Sequence, residues 1–131
     1  MTDVWSSRAD AYRASPTHAG DPDLDLVVEM CEPRAGKKFL DVASGGGHVT
    51  RRLRERGAEV VYHDPFVADL AEESLDLASA PLTDELLAGA DIVCVVTAHS
   101  GIDYARVAGR AQLVLDLRNA VPAADDRVVK L

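Results

Sequence analysis

Phe39-Leu40-Asp41-Val42-Ala43-Ser44-Gly45-Gly46-Gly47-His48 reads as a strand, a glycine turn and the first residue of a helix. Phe39 to Ala43 is a short apolar run between Lys37-Lys38 and the glycines, which is the pattern of a strand buried on both faces of a parallel sheet. Three consecutive glycines let the backbone turn sharply with no Cβ in the way. His48 to Arg56 then sets Val49 and Leu53 four apart among Arg51, Arg52, Arg54 and Arg56, and stops at Gly57, where a left-handed cap falls. The arginines read as a solvated helix face, and those in the last turn complement the helix dipole.

Upstream, Asp21-Pro22 is a helix start, and Leu24, Val27, Val28 and Cys31 recur at the spacing of one buried stripe until Pro33. Downstream, Ala58 to His63 reads as a second strand ended by Asp64-Pro65, and Thr83-Asp84-Glu85 opens a helix with a capping hydroxyl. Asp91 to Thr97 is the clearest buried strand. Asp103 to Ala111 is predicted as a helix, Gln112 to Leu117 as a strand and Arg127 to Leu131 as an edge strand. Residues 66–82 carry the least pattern and are left between a helix with a short strand and a mobile loop.

Alternating strands and helices imply right-handed crossovers. The expected fold class is α/β, a three-layer α/β/α Rossmann-like sandwich with a mostly parallel sheet of about five strands. Its expected order is 2-1-3-4-5, or 3-2-1-4-5 should residues 66–82 add an edge strand.

With 131 residues, the chain has the length of one domain. Apolar residues make up 47% and charged residues 27%, which excludes disordered and fibrous classes. The net charge of -8, from 14 Lys and Arg against 22 Asp and Glu, opposes nucleic-acid binding. No apolar run is long enough to span a bilayer and no basic leader precedes an apolar stretch, so a cytoplasmic protein is expected. Cys31 and Cys94 each sit in an apolar segment and read as buried thiols, and His18, His48, His63 and His99 show no metal-ligand spacing. His99, Ser100 and Asp103 have the residue types of a nucleophilic triad without the surrounding turn that such a nucleophile needs. No catalytic or metal-binding residue is assigned.

In such a sheet a ligand binds outside the carboxyl ends of the strands, which directs attention to Ser44 to His48. The glycines and the following helix N-terminus offer backbone N–H groups, and Asp64 lies roughly 20 residues beyond Gly45 at the end of the second strand, where a carboxylate accepts ribose hydroxyls. Position 50 is Thr, so the spacing departs from the dinucleotide fingerprint. The bland alternative is a tight strand-to-helix turn with Asp64 capping the turn before Pro65.

From Trp5 to Asp64 the pattern Ala9-x-x-Tyr12-x-x-Ser15-Pro16-x-His18, followed by Phe39 to His48, resembles class I S-adenosylmethionine-dependent methyltransferases of the ubiquinone/menaquinone-biosynthesis type. That resemblance implies that Asp41, Ser44, Gly45, Gly46 and Gly47 contact the amino-acid part of S-adenosylmethionine and that Asp64 holds its ribose. From Leu53 to Leu131 the chain is similar to the C-terminal, UDP-binding domain of UDP-sugar dehydrogenases. The residues are Gly57-Ala58-Glu59-Val60-x-Tyr62-His63-Asp64-Pro65-Phe66-Val67, Leu82-Thr83-x-Glu85-Leu86-Leu87, Ala90-Asp91, Thr97-x-His99-Ser100-x-x-Asp103-Tyr104 and Leu113-Val114-x-Asp116-x-Arg118-Asn119. This similarity implies Arg118, with His99 near it, as a UDP-sugar contact. The two resemblances overlap across Leu53 to Asp64. They lead to the expectation of one domain over 1–131, a chimera, natural or engineered, joining a methyltransferase-like fragment (1–64) to a dehydrogenase-like one (53–131). Such a chain is expected to keep a partial S-adenosylmethionine site and to bind without turnover, with a UDP module and a ligand-free fold as alternatives. Homodimerisation through an edge left by the junction is also expected.

Overall fold

The computed structural model describes residues 24–43, 47–71, 75–122 and 126–130. The expected helix start at Asp21-Pro22 and the glycines Gly45 and Gly46, with Ser44, lie outside the described residues. Helix α1 spans Leu24–Cys31, β1 Lys38–Val42, α2 His48–Glu55 and β2 Glu59–His63. Helix α3 spans Asp84–Gly89, β3 Ile92–Val95, α4 Tyr104–Arg110, β4 Val114–Asp116 and β5 Val128–Lys130.

The five strands form one sheet in the order β2-β1-β3-β4-β5, and each neighbouring pair is parallel. This is the Rossmann-like α/β arrangement expected from the sequence. Its first strand is paired on both sides, with Asp41 opposite Tyr62 in β2 and Cys94 in β3. Two cores sit on the two faces. One packs Val27, Val28 and Cys31 of α1 and Val49 and Leu53 of α2 against Phe39, Ile92, Cys94 and Leu115. The other packs Leu87 of α3 and Val107 and Ala108 of α4 against Leu40, Val42, Val93 and Val114. Helices thus cover both faces, and the strands are buried runs because no face of the central strands meets water.

Helix boundaries follow local chemistry. Helix α1 ends at Cys31, where Glu32 takes a left-handed conformation (φ 49) and the Lys37 ammonium donates to the Cys31 carbonyl at 2.6 Å. Burial, with the nearby Arg34 charge, lowers the pKa of that ammonium. Helix α2 ends at Gly57, whose φ of 89 and N–H bond to the Arg54 carbonyl are those of the expected left-handed cap. Thr83 and Asp103 cap α3 and α4 by accepting from the backbone N–H groups of Leu86 and Arg106.

Residues 66–82 supply neither a helix nor an edge strand among the described residues, so the alternative order 3-2-1-4-5 does not arise. They fold back instead, with one antiparallel bridge between Asp69 and Ala78. Ala80 N–H donates to the Tyr62 carbonyl and the His63 Nδ1 meets the Ala80 carbonyl at 2.8 Å, so this return segment covers the free edge of β2. Tyr62 is fully buried and donates to the Val67 carbonyl. Cys31 and Cys94 are both buried, as expected, and their sulfurs lie 3.9 Å apart between α1 and β3. Burial and the neighbouring thiol push Cys94 well above the ordinary thiol range, the thiol–thiol bond contributing most.

Beyond β4 the chain turns on the carboxylate of Asp116, which is completely buried and accepts from the backbone N–H groups of Arg118, Ala120 and Val121. Asn119, inside this turn, is left-handed (φ 54). Asp116→Ala removes the shared acceptor of three donors and is expected to cost about 3 kcal/mol, a fall of roughly 10 °C in melting temperature. A cooperative melt within two degrees of the parent would refute this role.

Candidate functional site

The carboxyl ends of β2, β1, β3 and β4 open on one side of the sheet, and the strand order reverses between β1 and β3. A crevice at that switch point is where a Rossmann-like sheet receives a ligand. Around it stand Ala43 after β1, Asp64 and Phe66 after β2, Thr97 and His99 after β3, and Arg118 after β4. The backbone stays paired slightly past the strands, through Ala43 N–H to the His63 carbonyl and Leu117 N–H to the Val95 carbonyl. These bonds hold the loops in register where they leave the sheet.

Asp41 lies on the face covered by α2 and is fully buried. The Thr50 hydroxyl donates to its Oδ2 at 2.5 Å. Thr50, which breaks the dinucleotide fingerprint, is therefore the residue that ties α2 to β1. Sequence reading noticed the position only as a departure from a motif. A buried side chain with a hydroxyl, close to a strand aspartate, was the signal available.

Gly47 is the N-cap of α2, with φ 74, and a Cβ built there would stand 2.9 Å from the Leu70 side chain. Leu70 is itself buried. The close approach that a glycine allows is thus filled at Gly47 by the loop after β2. Ser44, Gly45 and Gly46 lie outside the described residues.

Asp64 and His99 come together. The Asp64 carboxylate, 1% exposed, accepts from the Phe66 backbone N–H at 2.8 Å, and the His99 Nε2 is 3.7 Å from its Oδ1. Asp64 N–H donates to the Ser79 hydroxyl, which returns a bond to the Asp64 carbonyl. Asp64 thereby caps the Asp64-Pro65-Phe66 turn, as in the bland alternative, and a ribose reaches it only if that turn moves. The Tyr104 hydroxyl accepts from the His99 backbone N–H at 2.8 Å and donates to the Thr97 carbonyl. Burial raises the Tyr104 pKa, and the carboxylates of Asp116 and Asp64 add to the rise. The phenol is accordingly a neutral brace across this loop.

Arg118 stands at the other side of the crevice and is exposed. Its Nε donates to the Val96 carbonyl at 3.0 Å, linking the ends of β4 and β3. Phe66, which the dehydrogenase-like stretch includes without a role of its own, is 75% exposed and meets the His99 ring edge-on at a centroid distance of 4.8 Å. A cavity of about 280 Å³ lies elsewhere, lined among others by Phe39, Val61, Glu85 and Leu86. It borders the amino ends of β1 and β2, away from these residues. Among the described residues no cluster of His, Cys, Asp and Glu suits a metal ion, and no helix is long and apolar enough to cross a membrane.

The fold and this crevice are those of a Rossmann-like module of the nucleotide-binding kind. A family model described as the UDP-glucose/GDP-mannose dehydrogenase family, UDP binding domain, matches residues 43–123, and the chain belongs to that family. The match begins at residue 43, upstream of the 53 at which the sequence resemblance starts, and takes in the glycine turn. A curated relative, ribosomal RNA small subunit methyltransferase A of Anaeromyxobacter dehalogenans (strain 2CP-C), is 47% identical over 38 residues, which are 29% of this chain and 13% of that protein. Among solved structures, the apo D-mandelate dehydrogenase of Rhodotorula graminis matches 95% of this chain at a TM-score of 0.55 and 21% identity. The NAD-dependent formate dehydrogenase of Staphylococcus aureus, in complex with NAD, matches 94% at a TM-score of 0.55 and 17% identity. The chain spans 39% and 38% of those two proteins, and at such identities the likeness is one of fold.

Thr50→Val removes the hydroxyl bond to the buried Asp41 carboxylate. A loss of about 2 kcal/mol in denaturant unfolding is expected, with Thr50→Ser near the parent. Equal midpoints for Val and Ser would show that the bond contributes nothing.

Proposed function

We propose that the chain is a nucleotide-binding module that takes UDP, or the UDP part of a UDP-sugar, at the carboxyl end of its sheet, and that it binds without turnover. Arg118 carries this reading. Its Nε is tethered to Val96, and among the described residues its terminal amino groups have no partner, so a planar cation fork is held open across the ends of β3 and β4. An arginine fixed in this way meets a phosphate bidentately with little further ordering. Membership of the UDP binding domain family supports the choice of ligand. His99 serves on this reading as a wall of the site, since its Nε2 is directed at Asp64.

The short methyltransferase match favours a second reading, an S-adenosylmethionine site at Asp41, Ser44, Gly45, Gly46, Gly47 and Asp64. It requires the Phe66 turn to lift from Asp64. The same match, beside the family match that begins at residue 43, also supports the proposal that two α/β fragments, 1–64 and 53–131, were joined into one domain, by engineering or by natural recombination. A cytoplasmic setting fits the acidic chain and its free thiols. Pairing of two copies is proposed at β5, since the described residues place no strand outside it.

One thermal-shift titration with UDP and S-adenosylhomocysteine tests the ligand. At about a hundred times its dissociation constant a ligand adds roughly 2.7 kcal/mol, a shift of several degrees. UDP is expected to shift the melt, and Arg118→Ala to abolish the shift. A response to S-adenosylhomocysteine alone, lost in Asp64→Ala, would transfer the function to the adenosyl site. No response to either would leave a fold without these ligands.

A further inference from the structure

Resting on the nucleotide reading, we propose that Phe66 is the platform on which the aromatic base of the bound nucleotide stacks, so that the ligand lies across the crevice with its base at Phe66 and its phosphates at Arg118. A phenylalanine that is 75% exposed leaves most of its ring in water, and a flat apolar partner removes that surface from solvent. Among the described residues Val61 is the other large apolar residue with notable exposure, at 37%, and it belongs to strand β2 instead of the crevice.

The ring is held in place by its neighbours. The Asp64 carboxylate fixes the Phe66 backbone N–H, and the His99 ring meets Phe66 at an interplanar angle of 66°. His99 is in turn held by the Tyr104 hydroxyl through its backbone and faces Asp64 through Nε2. The β2 loop and the β3 loop thus meet at one exposed aromatic ring, and the start of α4 braces the second of them. Such pre-ordering lowers the cost of stacking a ligand on it.

The span fits. Phe66 leans toward β3 from the β2 side, and Arg118 reaches the Val96 carbonyl from the β4 side. Strands β2 and β4 are separated by β1 and β3, three spacings or ~14 Å at most between their ends. An extended nucleoside diphosphate covers that interval, with its ribose over β1. Asp64, capped beneath Phe66, then supports the platform and need not touch the ribose.

Binding of UDP, inorganic pyrophosphate and S-adenosylhomocysteine to the full chain, measured by calorimetry for the parent, Phe66→Ala, Phe66→Trp and Arg118→Ala, tests this. Phe66→Ala is expected to weaken UDP about tenfold or more while pyrophosphate affinity and melting temperature stay unchanged, and Phe66→Trp to retain UDP. Arg118→Ala is expected to weaken both UDP and pyrophosphate. Loss of S-adenosylhomocysteine in place of UDP on Phe66→Ala would uphold the platform and make the base adenine. Equal UDP affinity in Phe66→Ala and the parent, with Arg118→Ala impaired, would overturn the platform and leave the nucleotide reading standing. So would a pyrophosphate loss in Phe66→Ala as large as its UDP loss. Failure of the parent to bind any of the three would overturn both.

Discussion

A parallel sheet covered on both faces cannot leave a carboxylate in its interior unless a hydrogen-bond donor is built beside it, and among the described residues three are buried, Asp41, Asp64 and Asp116. Each is answered by a different segment. Thr50 of α2 donates to Asp41, the Phe66 backbone to Asp64, and the backbone of residues 118–121 to Asp116. The cost of burying the carboxylate is what fixes the loop, because each donor is met only in one backbone path. The helix after β1, the turn after β2 and the turn after β4 are all positioned in this way. The ends of the sheet are therefore specified by polar chemistry, whereas its middle is specified by apolar packing.

This division explains what could be read from sequence. The stripe Val27, Val28, Cys31, the cap at Gly57 and the capping residue Thr83 are local signals with periods or offsets of a few residues, and they stand where expected. Strand order followed from the alternation of elements. Residues 66–82 carry no period because their backbone is satisfied by tertiary partners, above all the free edge of β2, which no short window of sequence contains. The proximity of Cys31 and Cys94, 63 positions apart, has the same origin. At the site, Asp64 and Arg118 were legible as residue types at strand ends. Phe66 was not, since an aromatic three positions after a strand predicts packing as readily as exposure, and only its surroundings decide.

The glycine turn after β1 has a physical reason. A buried parallel strand that must feed an antiparallel helix needs a tight turn with positive φ, and glycine supplies it in any family built on this unit. The family match, which begins at residue 43, takes in that turn. At Gly47 the requirement is visibly structural, since the space a Cβ would take is filled by Leu70. On the proposed reading, discrimination between ligands belongs to the loops after β2 and β4. There the chain presents a ring that is mostly in water on one side and a tethered arginine on the other, two groups of opposite character separated by the width of two strands. A ligand that satisfies both must be aromatic at one end and anionic at the other, and that asymmetry, more than the glycine turn, is what the crevice offers for recognition.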